Sequence, residues 1–256
     1  MLKKIFSNGF TQKQKKMNKY LILSVIIFSL MSCDFENKNN TVFIQGGGTL
    51  DDWANLSKYA ESNKELIDDL DENRVVFMGN SITEGWSNFN PDFFINNPFV
   101  NRGISGQTTP QMLIRFKPDV VNLKPTAVVI LAGINDIAGN TGPMKIENIA
   151  ENIFSMSEIA LANNIEVFIC SVLPAKAFPW SPSIKNVAKK VIELNLLLKD
   201  YCLKNNIQYV DYHSVMDDGN GGLKVPEHTT ENDLVHPNKD GYKVMEGVIL
   251  NFLASK

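Results

Sequence analysis

Histidine and cysteine are scarce in this chain, with three of each among 256 residues. That narrows the chemistry. His213, in Asp211-Tyr-His-Ser214, and His228, in Pro226-Glu-His-Thr229, share no ligand-like spacing with a second histidine or a cysteine. They read as surface or hydrogen-bonded structural residues, and no metal is expected. Cys170 ends an apolar strand pattern and Cys202 lies in a helix pattern, so both read as small core residues rather than a disulfide or metal pair. Internal repeats, heptads and a second domain are missing. So is the Lys-Ser/Thr ending that would make Gly79-Asn-Ser-Ile-Thr-Glu-Gly85 a phosphate loop. Thr83 stands where a Gly-x-Ser-x-Gly elbow needs its second glycine.

Acid is absent from residues 1–32, which carry six lysines and then the apolar run Tyr20-Leu-Ile-Leu-Ser-Val-Ile-Ile-Phe-Ser-Leu-Met31. A membrane-crossing helix takes about 20 apolar residues. This shorter run behind a basic segment reads as an export signal; the plainer alternative is an uncleaved N-terminal anchor. Leu30-Met31-Ser32-Cys33 resembles a bacterial lipoprotein signal, which implies lipid on Cys33 and attachment to the cell envelope, at the periplasmic face or the cell surface. Met17 is a more natural signal start than Met1. Beyond residue 32 the chain carries 19 basic and 28 acidic side chains, a net charge of −9. Such a surface argues against nucleic acid as the main partner.

The expected division is a signal over residues 1–32, a tether over 33–49 that ends in Gly46-Gly-Gly48, and one domain over 50–256. Apolar spacing from Asp51 to Leu70 predicts an amphipathic helix. Strands are then expected at Val75–Met78, Phe99–Asn101, Ala127–Ala132, Val167–Val172 and Gln208–Asp211. Between and after them come helices at Pro110–Asn122 (broken near Pro118), Ile146–Asn163, Pro182–Asn205 and Pro237–Leu253. The Ile146–Asn163 helix would bury Ile149, Ile153, Met156, Ile159 and Ala160. Strands that are apolar throughout and alternate with helices imply an α/β fold: a three-layer α/β/α sandwich with a mainly parallel sheet of about five strands. Ligands of such sheets sit at the carboxyl ends of the strands.

Four loops leave those ends with chemistry to offer. Ser81 follows the first strand between Gly79 and Gly85, as a nucleophile or as a helix cap. Gly106 follows the second in Asn101-Arg-Gly-Ile-Ser-Gly106-Gln-Thr-Thr109; its N–H is a donor, and Thr108 or Thr109 can cap the next helix. Asn135, in Gly133-Ile-Asn-Asp136, follows the most hydrophobic strand and can donate to an oxyanion or make a simple turn. Asp233-Leu-Val-His236-Pro237 puts a carboxylate and an imidazole on one turn, either as orienter and base or as a helix start with Pro237 in its first position.

In this order the four blocks resemble the SGNH hydrolases of the GDSL esterase and lipase superfamily. Asn80 replaces the Asp, and Ile82 the Leu, of the family name. Ser81-Ile-Thr-Glu-Gly-Trp86 and Gly106-Gln-Thr-Thr109 look most like its platelet-activating-factor acetylhydrolase-like branch. The resemblance implies the flavodoxin-like SGNH fold and a serine esterase with no cofactor. It also implies Ser81, Asp233 and His236 as catalytic residues, with an oxyanion hole of Ser81, Gly106 and Asn135. Trp86, Phe89 and Trp180 are candidate pocket walls, Trp86 and Trp180 above all. With no lid-like insertion, short acyl groups are expected, acetyl first, on extracytoplasmic glycans or small esters. A lysophospholipase acting on longer chains is the alternative, and a non-catalytic glycan-binding lipoprotein or a flavin binder are the readings of another class.

Overall fold

The computed structural model describes residues 46–69, 71 and 73–254. The signal, Cys33 and the tether before Gly46 lie outside the described residues. The end of the expected tether is packed on the domain: Gly46 and Gly48 are buried. A side chain on Gly46 would run into Gln111, and one on Gly48 into the backbone of Trp53.

Among the described residues the strands are β1 (Val75–Gly79), β2 (Phe99–Gly103), β3 (Ala127–Leu131), β4 (Glu166–Cys170) and β5 (Gln208–Val210), in the order β2-β1-β3-β4-β5. Every pairing is parallel, with Gly79 level with Gly103 on one side and Leu131 on the other. β1 and β3 are buried at every position, which accounts for their unbroken apolar sequences. The helices are α1 (Ala60–Asp68), α2 (Ser81–Phe89), α3 (Pro91–Ile95), α4 (Thr109–Asp119), α5 (Ile134–Ile137), α6 (Ile146–Ala162), α7 (Val187–Asn205), α8 (Tyr212–Met216) and α9 (Lys239–Leu253). α4 packs on α6 and α6 on α7 in one layer, while α2 meets α9 in the other. The chain turns from β2 back across β1 to β3. Their carboxyl ends therefore flank the point where such a sheet opens a crevice.

Several boundaries differ from the sequence pattern for local reasons. α1 begins at Ala60, not Asp51, because the Asp52 carboxylate takes the N–H groups of Leu56 (2.7 Å) and Ser57 (2.9 Å) and Asn55 is left-handed. A carboxylate bonding nearby amides offers the backbone an alternative to the helix. The run expected over Pro110–Asn122 does break near Pro118: α4 ends one residue later at Asp119, and a separate 3-10 turn over Val121–Leu123 follows. α7 starts at Val187 after a left-handed Asn186. α9 begins at Lys239 rather than at Pro237, because Asn238 caps it, accepting from the N–H groups of Asp240 (3.1 Å) and Gly241 (2.9 Å). Ile159 is half-exposed and leaves the buried face of α6 to Ile149, Ile153, Met156 and Ala160. Cys170 and Cys202 are free and buried.

Candidate active site

The first strand exits through Gly79, where a Cβ would fall 1.9 Å from Thr83 Oγ1, so only glycine lets α2 start so close to the sheet. Asn80 caps α2 by accepting from Ile82 N–H (3.2 Å), and Ser81 becomes its first residue. Gly103 does the same service on β2: a Cβ there would lie 2.1 Å from Glu84 N. Gly85 lies inside α2 and takes no part in the turn; it admits the Tyr242 hydroxyl, which would be 3.0 Å from a Cβ.

Ser81 Oγ lies 2.8 Å from His236 Nε2, although 155 residues separate them. His236 Nδ1 lies 2.8 Å from Asp233 Oδ1, and the same oxygen accepts His236 N–H at 2.9 Å. The carboxylate thus fixes both the ring and the backbone of the histidine it faces. The turn is tight enough that Leu234 is left-handed, and Thr229 Oγ1 donates to His236 C=O at 2.8 Å.

Ser81, Ser105, Gly106, Asn135, Asn140, Trp180 and His236 line one cavity of about 290 Å³. Among the described residues no group takes the N–H of Ser81 or Gly106. Gly106 is left-handed, and its C=O accepts from Asn140 Nδ2 at 3.0 Å. Asn135 is buried and spends one amide hydrogen on Gln107 C=O, at 2.9 Å. Its neighbour Asp136 takes the N–H (2.9 Å) and hydroxyl (2.6 Å) of Thr109. These two adjacent side chains fasten the loop after β3 to the loop after β2. Burial pushes the Asp136 carboxyl up to about 6 against the opposing pull of Thr109. Thr108 completes a capping box with Gln111 at the start of α4.

The two tryptophans part company. Trp180 is 42% exposed, its ring centre 6.1 Å from that of His236. Trp86 is not a pocket wall. It lies in the core, stacked 5.0 Å from Phe93 and edge-on to Phe77, with its indole N–H on Glu246 at 2.9 Å. The helix period explains this: Ile82 and Trp86 share the inward face of α2 while Ser81 starts its rim. Phe89 is half-exposed on Tyr242 and does not line the cavity. His213 and His228 stand apart from this cavity, and His228 is buried.

Sequence reasoning missed Asn140, Ser105, Gln107 and Arg115. Asn140 sits in an unremarked glycine turn and carried no signal. Glu84 binds Ser105 N–H at 2.6 Å and pairs with Lys58, steadying the rim beside Gly106. Arg115 could have been found, because Met112, Arg115, Phe116 and Asp119 fall at one helical face and that face is buried. A larger cavity, about 750 Å³, lies where β3 and β4 begin, lined by residues such as Lys117, Pro125 and Ile165. It holds no nucleophile next to a base.

A parallel sheet with a serine, an imidazole and a carboxylate hydrogen-bonded in line at its carboxyl rim defines an α/β/α hydrolase. The chain belongs to the GDSL-like lipase/acylhydrolase family, whose model matches residues 77–244, and is an ester hydrolase. No curated protein matches it. A Bacteroides fragilis protein assigned as an acylhydrolase is 48% identical over 80% of this chain and 98% of its own, with a TM-score of 0.75. A GDSL-like lipase from Bacteroides thetaiotaomicron is 44% identical over 79% and 98%, with a TM-score of 0.74. An acetyl xylan esterase at 16% identity covers 70% of this chain and 98% of its own with a TM-score of 0.56, and shares the fold.

Proposed function

We propose that this protein is a serine esterase for short acyl groups, acetyl first, on extracytoplasmic carbohydrates, working through an acyl-enzyme. On this reading Ser81 Oγ attacks the ester carbonyl. With its Nδ1–H donated to Asp233, His236 keeps Nε2 as the acceptor of the serine proton and later delivers that proton to the leaving alcohol. The tetrahedral oxyanion takes the N–H groups of Ser81 and Gly106 and the second amide hydrogen of Asn135. Water then attacks the acyl-enzyme carbonyl with His236 again as base, releasing the acid and free Ser81.

The short-acyl part rests on the cavity lining. No residue lining it carries an aliphatic side chain, and Trp180 supplies the one large apolar face. A long acyl chain gains about 0.8 kcal/mol for each CH₂ it buries, and this wall offers it little to bury against. An indole face beside His236 suits the flat face of a sugar ring carrying the ester. Membership of the platelet-activating-factor acetylhydrolase-like branch belongs to the same reading, carried by Ser81–Trp86 and Gly106–Thr109. So does envelope attachment through lipid on Cys33, which incorporation of labelled fatty acid into the native chain, but not into Cys33→Ala, would test.

The experiment is acetate release from acetylated glycans beside nitrophenyl esters of rising chain length. Acetyl esters should be preferred, and Ser81→Ala should be inactive. Rising kcat/KM towards long chains would replace this reading with a lysophospholipase. Full activity in Ser81→Ala would end the mechanism altogether.

A further inference from the structure

We propose that Arg115, remote from the substrate cavity, is a positioning residue that holds all three oxyanion donors in register. The inference rests on the oxyanion assignment just made.

Arg115 lies in α4 with no exposed surface. A guanidinium has five N–H donors in one rigid plane, and this one divides them among three elements. Nη2 donates to Gly79 C=O at 2.8 Å, Nε to Gln107 Oε1 at 2.5 Å, and Nη1 to Asp119 Oδ2 at 2.9 Å. An i,i+4 ion pair needs only the last of these. The other two are spent on the loops that carry the site.

Each loop contact leads to a donor. Gly79 C=O also accepts Ile104 N–H at 3.2 Å and belongs to the strand residue just before Asn80-Ser81, so fixing it fixes the approach of Ser81 N–H. Gln107 directly follows Gly106. Its side chain is pinned from the other side by its own Nε2, which donates to Ala54 C=O at 2.7 Å. Its backbone C=O then takes Asn135 Nδ2 at 2.9 Å, which turns the carboxamide and sets where the second hydrogen points. One planar cation therefore triangulates the exits of β1 and β2 and, through Gln107, the side chain that follows β3. Asp119 balances the charge and is itself held by Asn63 Nδ2 at 2.7 Å, so the anchor is stiff. A lysine at 115 carries the charge but cannot reproduce a planar three-way fork.

The test is a double-mutant cycle on kcat between Arg115→Lys and Asn135→Ala, with acetyl ester as substrate and active sites counted by an organophosphate. A misplacement of about 1 Å in such a site costs up to about 10²-fold. Arg115→Lys should lower kcat per titrated site by about ten- to a hundredfold with KM within about threefold, the pattern of an interaction that matters in the transition state. The double variant should lose at least about tenfold less than the product of the two single losses, because both act on the same donors. Multiplicative losses, or an unchanged kcat in Arg115→Lys, would overturn the proposal. If Arg115→Lys does not fold, Gln107→Met cuts the same linkage without burying a charge, and a wild-type kcat there overturns it equally. Ser81→Ala in the same assay separates the two failures. If it stays active the esterase mechanism falls and this proposal with it; if it is dead and the cycle is multiplicative, only Arg115 loses its role.

Discussion

Replacing Asp233 by Asn tests the orienting carboxylate with the least change of shape. Asp233 Oδ1 accepts three donors: Val235 N–H (3.2 Å), His236 N–H (2.9 Å) and His236 Nδ1 (2.8 Å). The carboxamide oxygen can still accept the two backbone donors, so the turn survives. Its NH₂ then occupies the Oδ2 position, 3.1 Å from Nδ1. The oxygen kept at the Oδ1 position is still the nearer to Nδ1, at 2.8 Å, but the amide now competes with it as a donor, and imidazole drawn into the tautomer with the proton on Nε2 cannot accept from Ser81. A complete tautomer error costs about 10⁴ in kcat, or roughly 5 kcal/mol of transition-state stabilisation, which sets the upper bound here. The Asp233 side chain is 38% exposed, so water dilutes its charge and the geometric effect dominates. Asp233→Asn should therefore be strongly damaging although it is the closest isostere of the carboxylate. The assay is steady-state hydrolysis of an acetyl ester near neutral pH, with the melting temperature as a folding control. A kcat for Asp233→Asn within about tenfold of wild type would refute the orienting role, since tautomer control is expected to cost far more.

Three further outcomes are expected. Gly103→Ala drives a Cβ to 2.1 Å from Glu84 N, backbone against side chain with no rotamer to relieve it; it should cost more than about 1–3 kcal/mol, read as a fall in melting temperature. Asp136 has its folded pKa raised to about 6 from 3.8, so it binds its proton more tightly folded than unfolded. Its contribution is fully present below about pH 4 and is lost as pH rises through about 6, a swing on the order of 3 kcal/mol. In Asp136→Asn that pH dependence should be absent, seen as a melting-temperature difference from wild type that changes between pH 4 and 6 and is flat above. Trp180→Ala should raise KM for an acetylated oligosaccharide by about tenfold, an aromatic platform being worth about 0.5–1.5 kcal/mol beyond area, while leaving nitrophenyl acetate nearly unchanged. Equal effects on both substrates would remove the sugar-platform role.

Much of the fold was legible because buried parallel strands must be apolar on both faces. Val75–Gly79 and Ala127–Leu131 admit no alternation, and a reader sees them at once. Helix starts were less legible. At Asp52, Asn186 and Asn238 a side chain or a left-handed backbone decided the boundary, and hydrophobic period carries no such information. Trp86 looked like a pocket wall because it follows Ser81 closely. Five residues at about 100° each carry it roughly 140° round the helix from Ser81, into Phe77 and Phe93.

The sequence alone determined the layered α/β architecture and the four loops that carry Ser81, Gly106, Asn135 and Asp233/His236. Its apolar runs mark the strands, and polar residues at strand exits cannot be buried in the sheet. Only the tertiary structure decided which of these groups meet. The parallel order β2-β1-β3 brings the exits of β1 and β3 side by side, and α9 brings His236 back across 155 residues to Ser81. Distances of that kind are set by packing of whole elements, and so is the buried guanidinium of Arg115, which the sequence presents as one more charge on a helix.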